Sequence, residues 1–136
     1  MDGRCFDIGI ATRSALSKYL DSCDPLASGD PSESASGNGS IMRLAPVPIR
    51  FIDCYPKDIE QLSRRAEESS LSTHPSEQCR SACRYLATVL AALMQGEDRR
   101  AVLAPNWNSL QELHLLRPLH PLFPVSYTHL PLPTSD

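Results

Sequence analysis

Long apolar runs are missing from this chain of 136 residues. The longest, Tyr85 to Met94, is interrupted by Thr88 and is too short for a helix to cross a bilayer, so no membrane partner is expected. A leader pattern is missing as well. Met1-Asp2-Gly3-Arg4-Cys5 has no charged stretch running into an apolar one, which speaks against a secretory signal. Neither sign of charge dominates. Thirteen Lys and Arg face sixteen Asp and Glu, a net of −3, so there is no basic footprint for a nucleic acid and no acidic tail. The five cysteines are odd in number and irregularly spaced, which disfavours a disulfide framework and points to reduced thiols in the cytoplasm. No segment alternates apolar and polar residues convincingly, so the expected fold class is all-α.

The apolar periodicity that is present has helical spacing. Phe6 to Leu20 places Phe6, Ile10, Leu16 and Leu20 near one side, with Asp7 available as a cap and Asp24-Pro25 ending the segment. Ala27 to Ser36, rich in Ser, Gly, Asp and Pro, reads as a loop. Ser40 to Ile49 is apolar enough to be buried, although Pro46 and Pro48 would keep any helix there short. Pro56 to Glu68 carries Ile59, Leu62 and Ala66 along a stripe. The strongest pattern is Pro75 to Met94, where Cys79, Ala82, Cys83, Leu86, Val89, Leu90 and Leu93 recur at helical steps. Pro75 suits the first helical position there, and Gly96 suits the stop. Trp107 is expected to anchor a loop against the helices.

One segment has the makings of a site: Ser36-Gly37-Asn38-Gly39-Ser40-Ile41-Met42-Arg43. Glycines on both sides of Asn38 permit positive φ and close approach of a ligand to the backbone. Ser40 stands at a helix start, where free amides would face an anion. Arg43 either adds positive charge or ties the loop to a neighbouring helix. An ordinary Asn-Gly turn leading into a core helix is the alternative, and on spacing alone the commoner one. His74, in Leu71-Ser72-Thr73-His74-Pro75, precedes the longest helix, and its imidazole there suits hydrogen bonding to a ligand. The competing role is capping, by Thr73 or His74. Cys79 and Cys83 lie four apart without further ligands at metal-binding spacing, and read as core-facing thiols.

Taken together, Phe6-Asp7-Ile8-Gly9, Ala11-Thr12-Arg13, Gly37 to Pro46 and Ser72-Thr73-His74-Pro75 resemble the ADP-ribosylglycohydrolase family, which includes the dinitrogen-reductase-activating hydrolases. The resemblance runs in order from about Cys5 to about His114. It implies a partial helical bundle of that type over residues 1–114. It further implies hydrolysis of the bond between the anomeric carbon of ADP-ribose and an acceptor, on a protein or a small molecule, with two magnesium or manganese ions. By the same resemblance Gly37, Asn38, Gly39, Ser40 and Met42 correspond to the loop that contacts ADP-ribose, and His74 lines the same cleft.

The chain also departs from the family. An early Thr-Asp-Asp cluster and a late Asp-x-Asp-Thr cluster supply the family's metal ligands and acid–base carboxylate, and neither occurs here. Asp2, Asp7, Asp53 and Asp58 are scattered without ligand spacing. The sequence therefore reads as the middle of an enzyme, inactive alone and holding no metal by itself. A helical ADP-ribose-binding or interaction module without catalysis is the other reading. Six of the twelve prolines fall in the last quarter, and from Leu113 onward only Arg117 and Asp136 are charged. Residues 115–136 thus read as a non-helical, Pro-rich tail. Within it Val125-Ser126-Tyr127-Thr128-His129-Leu130 resembles a translated sequencing adapter, so His120 and His129 are not expected in any site.

Overall fold

The computed structural model describes residues 9–121, and every regular element among them is helical. These are α1 (Ile10–Ser22), α2 (Gly39–Met42), α3 (Pro46–Arg50), α4 (Ile59–Leu71), α5 (Glu77–Met94), α6 (Arg99–Val102) and α7 (Asn108–Leu116). Short 3-10 turns fall at Glu33–Ala35 and Ile52–Cys54. The all-α fold class stands, and residues 117–121 follow without helix.

α4 and α5 form the centre. Asp58 caps α4 by accepting from the Gln61 amide at 3.1 Å, and Ser76 caps α5 by accepting from the Cys79 amide at 3.2 Å. α5 therefore starts two residues beyond Pro75, and neither Thr73 nor His74 is its cap. The link between the two helices is short, which makes them antiparallel neighbours. The register agrees: Glu67 pairs with Arg80, and Gln95 donates to the carbonyls of Ile52 and Tyr55. Gly96, at φ +91°, ends α5 in the left-handed region where a glycine was expected to stop it.

The buried face of α5 differs from the expected stripe. Cys79, Cys83 and Val89 are buried, but the rest of that face is Ser81, Arg84, Ala87, Thr88, Ala91 and Ala92. Ala82, Leu86 and Leu90 are half-buried, and Leu93 is exposed. The reason is position. α2, α3, α4, α6 and α7 all touch α5, and small side chains let several backbones approach one helix closely. The larger apolar groups come from the partners: Leu44, Ile59, Leu62, Val102, Leu110 and Leu113 join the same core.

α1 departs from expectation more plainly. Asp7 and Phe6 lie outside the described residues, the N-cap is Gly9 without a side-chain bond, and Ala15 alone is buried. Ile10, Leu16 and Leu20, expected near one side, are all exposed. Helical spacing identified the helix but could not say which side, if any, meets a core. Pro46 and Pro48 both stand in the first turn of α3, where a missing amide costs little, and the helix is five residues long.

α6 and α7 were not foreseen. Asp98 caps α6, accepting from the amides of Arg100 and Ala101 at 3.1 and 3.2 Å. Trp107 is buried, stacks on Tyr55 with centroids 6.5 Å apart, and donates to Glu97 at 3.1 Å. The Tyr55 hydroxyl bonds the same Glu97 carboxylate and Ser109. Burial, together with the Glu97 hydrogen bond, pushes the Tyr55 pKa up to about 12. The boundary expected at residue 114 falls inside α7, and the chain beyond it turns back across the bundle. Arg117 pairs with Glu67 and Glu77, Leu119 is buried in the core, and the His120 amide donates to Ser81 Oγ at 3.0 Å. Val125 to Leu130 lie outside the described residues.

Candidate functional site

A cleft of about 680 Å³ opens between the start of α1 and the loop that leads into α2. Gly9 to Thr12 and Ser14 form one wall; Asp30, Ser34, Ala35 and Gly37 to Gly39 form the other, with Met42 and His74 completing it. Five of the six expected site residues, Gly37, Asn38, Gly39, Met42 and His74, thus meet at one opening. Ser40 does not line it. Its side chain is buried, and its hydroxyl faces Cys83 Sγ at 3.5 Å.

His74 supports the loop. The imidazole is 3% exposed, with Nδ1 bonded to Thr73 Oγ1 at 2.7 Å. Ser70 holds the His74 backbone from both sides, its carbonyl accepting from the His74 amide at 2.7 Å and its hydroxyl donating to the His74 carbonyl at 2.5 Å. The far edge of the ring lies under the two glycines. A Cβ on Gly39 would stand 2.7 Å from His74 Cε1, and one on Gly37 would stand 3.6 Å from Nε2. Neither glycine adopts positive φ. Gly39 is needed for close approach to the imidazole, whereas positive φ and close approach of a ligand were the two uses foreseen for these glycines.

The histidine's pKa is lowered, by burial first and then by the Arg43 charge. Above its ordinary value of 6.5 the ring is neutral in both the folded and unfolded chain. Below that value the unfolded chain binds a proton that the buried ring resists, so stability falls as pH drops toward the folded pKa. Urea midpoints at about pH 7.5 and about pH 5.5 should show this loss in the wild type. His74→Gln should lose less over the same interval, and an unchanged loss would contradict the assignment.

Arg43 ties the loop to α4, donating to the Ser69 carbonyl at 2.9 Å and to Ser72 Oγ at 3.5 Å. That is the second of the two roles expected for it. Asn38 precedes α2 but makes no side-chain cap bond. The first amides of α2 have no acceptor within the helix itself. Among the described residues Asp30 is the one charged group in the cleft wall. Hydrogen bonds from the Ser32 amide and side chain hold its carboxyl below the usual carboxylate range. Sequence reading missed Asp30 and Ser34, because a Ser/Asp/Pro-rich loop has no period to show which side chains turn inward. Gly29, also missed, packs against the same support: a Cβ there would stand 2.4 Å from Pro75 Cδ and 2.9 Å from the Leu71 carbonyl.

Among the described residues no three His, Cys, Asp or Glu side chains come together as a metal site. The residues around the cleft do not fit a pair of hard divalent cations, which need several oxygen ligands each. Cys79 and Cys83 are both buried and face the loop, in keeping with their reading as core-facing thiols.

An all-α bundle thus sets a glycine loop over a buried histidine beside a cleft of about 680 Å³. The family model described as ADP-ribosylglycohydrolase matches residues 1–126, and the chain belongs to that family. It is similar to the ADP-ribosylarginine hydrolase Tri1 of Pseudomonas putida (strain GB-1), 38% identical over 113 residues, covering 82% of this chain and 29% of that protein. It is also similar to the ADP-ribosylarginine hydrolase Tri1 of Serratia proteamaculans (strain 568), 31% identical over 105 residues, covering 77% of this chain and 27% of that one. The chain spans less than a third of the length of these curated relatives. No solved structure matches it.

Proposed function

We propose that the cleft binds ADP-ribose, and that the chain serves an enzyme hydrolysing the glycosidic bond between ADP-ribose and arginine on a protein. The observation that carries the binding role is the convergence of Gly37, Asn38, Gly39, Met42 and His74 on one opening. The family and the names of the two relatives support the hydrolase role and the acceptor. Backbone N–H groups at the start of α2 and the Asn38 side chain offer polar contacts to a diphosphate or ribose. Met42 and Ile10 offer apolar surface to a base; both line the cleft and are largely exposed. The magnesium or manganese pair of the family would supply water activation and charge neutralisation when bound. The described side chains do not fit such a pair, so what they contribute is binding and positioning. A non-catalytic ADP-ribose-binding module is the second reading, favoured by that same lack of grouped ligands. A cytoplasmic location is in keeping with the free cysteines.

Titration calorimetry of the chain with ADP-ribose tests the binding role. Asn38→Ala should weaken binding by several-fold to about tenfold, the worth of one or two polar contacts, with little change in thermal unfolding. No binding of ADP-ribose by the folded wild type would defeat the reading. Release of arginine from ADP-ribosylarginine, with and without magnesium or manganese, separates the enzyme from the binding module.

A further inference from the structure

We propose that Ser76, Cys79 and Cys83 are positioning residues for the cleft loop, holding residues 36–40 to one face of α5. The ligand arm of this proposal rests on the ADP-ribose reading above. Three contacts carry it. Ser36 Oγ and Ser76 Oγ are hydrogen bonded at 2.8 Å, the Cys79 thiol donates to the Gly37 carbonyl at 3.4 Å, and the Cys83 thiol donates to Ser40 Oγ at 3.5 Å. Positions 76, 79 and 83 follow the three- and four-residue steps of one helical face. All three side chains are buried, as is Ser40. The loop is thus fastened at its first, second and fifth residues, while His74 fills the space under Gly37 and Gly39. Ser76 also caps α5 through the Cys79 amide, so one hydroxyl closes the helix end and fixes the start of the loop. Burial pushes the Cys83 thiol pKa up, which keeps it an S–H donor.

The alternative is that both cysteines merely fill space, and the two roles separate experimentally. Cys79→Ala removes the donor; Cys79→Ser restores one in less volume. Amide hydrogen exchange over residues 37–41 needs no ligand, and ADP-ribose affinity reads the consequence in the cleft. Cys79→Ala should speed loop exchange about tenfold and weaken ADP-ribose binding roughly three- to tenfold. Cys79→Ser should bring both within about twofold of wild type. Ser36→Ala, which cuts the strap from the half-buried loop side, should speed loop exchange as well and decides the matter if Cys79→Ala fails to fold. Wild-type loop exchange in folded Cys79→Ala, or equal failure of the Ala and Ser variants, would overturn the proposal. If wild type itself does not bind ADP-ribose, the functional reading falls, and loop exchange alone decides the positioning role.

Discussion

Gly39→Val should cost stability and abolish measurable ADP-ribose binding together. The new Cβ would sit 2.7 Å from His74 Cε1 and 3.2 Å from Nε2. The ring has no room to retreat: it is buried, bonded to Thr73, and attached to a backbone that Ser70 holds at both its amide and its carbonyl. Overpacking of this kind typically costs about 1–3 kcal/mol, and the branched Val belongs at the upper end. A displaced imidazole would also release its packing on Gly37, so the cleft wall moves with it. Gly37→Ala is the control, since its Cβ would make only an ordinary 3.6 Å contact with Nε2 and should shift stability by no more than ~0.5 kcal/mol. Urea midpoints with ADP-ribose titrations on both variants check this. Wild-type midpoints and affinity in Gly39→Val would show that the loop does not depend on the histidine.

Arg84→Ala should be as damaging, by a different route. This guanidinium is 2% exposed; Nη2 donates to the carbonyls of Leu113 and Arg117, both at 2.9 Å, and Nη1 finds no hydrogen-bond partner among the described residues. Burial, with the nearby Arg117 charge second, lowers its pKa, but a guanidinium remains protonated under ordinary conditions. Truncation leaves a large void and strands the Arg117 carbonyl, while the Leu113 carbonyl keeps only the Arg117 amide at 3.3 Å, for a loss of roughly 3–5 kcal/mol. Arg84→Met keeps the stem and discards a poorly satisfied charge, so its loss should be nearer ~1–2 kcal/mol. Denaturant unfolding of the two variants measures the difference. Wild-type stability in Arg84→Ala would mean that α7 is held by its apolar contacts alone.

Arg84 also shows where sequence reading stops. The pattern through α5 announced a long helix, and Pro75, Gly96 and the Ser-Asp-Pro loop marked boundaries that the structure keeps within a few residues. An arginine on the inner face was not legible, because its acceptors are carbonyls about thirty residues away, at Leu113 and Arg117. The candidate site was legible as a motif to this extent: Gly37-Asn38-Gly39 and His74 line one cleft. What the motif could not give was the reason for Gly39, which lies in an imidazole brought from the other end of α4, or the inward turn of Ser40. Nor could it show that Asp30 borders the cleft. Ile10, Leu16 and Leu20 carry the opposite lesson, since amphipathic spacing states which residues share a side and leaves their partner unspecified.

The stretch after α7 bears on the order in which the molecule is made. Glu33, in the turn beside Ser34 and Ala35 of the cleft wall, accepts from or pairs with His120 at 2.8 Å across 87 residues of sequence. At translation rates of about 5–20 residues per second, His120 is added roughly 4–17 s after Glu33. In the last part of that interval, once Met94 has been added, α4 and α5 can pair, while Arg84 still waits for the two carbonyls that accept from it. Closing the long loop is the entropically expensive contact, and it comes last. The cleft wall is therefore fastened at its outer edge only when nearly all of the described chain has been made, with its helical centre already in place.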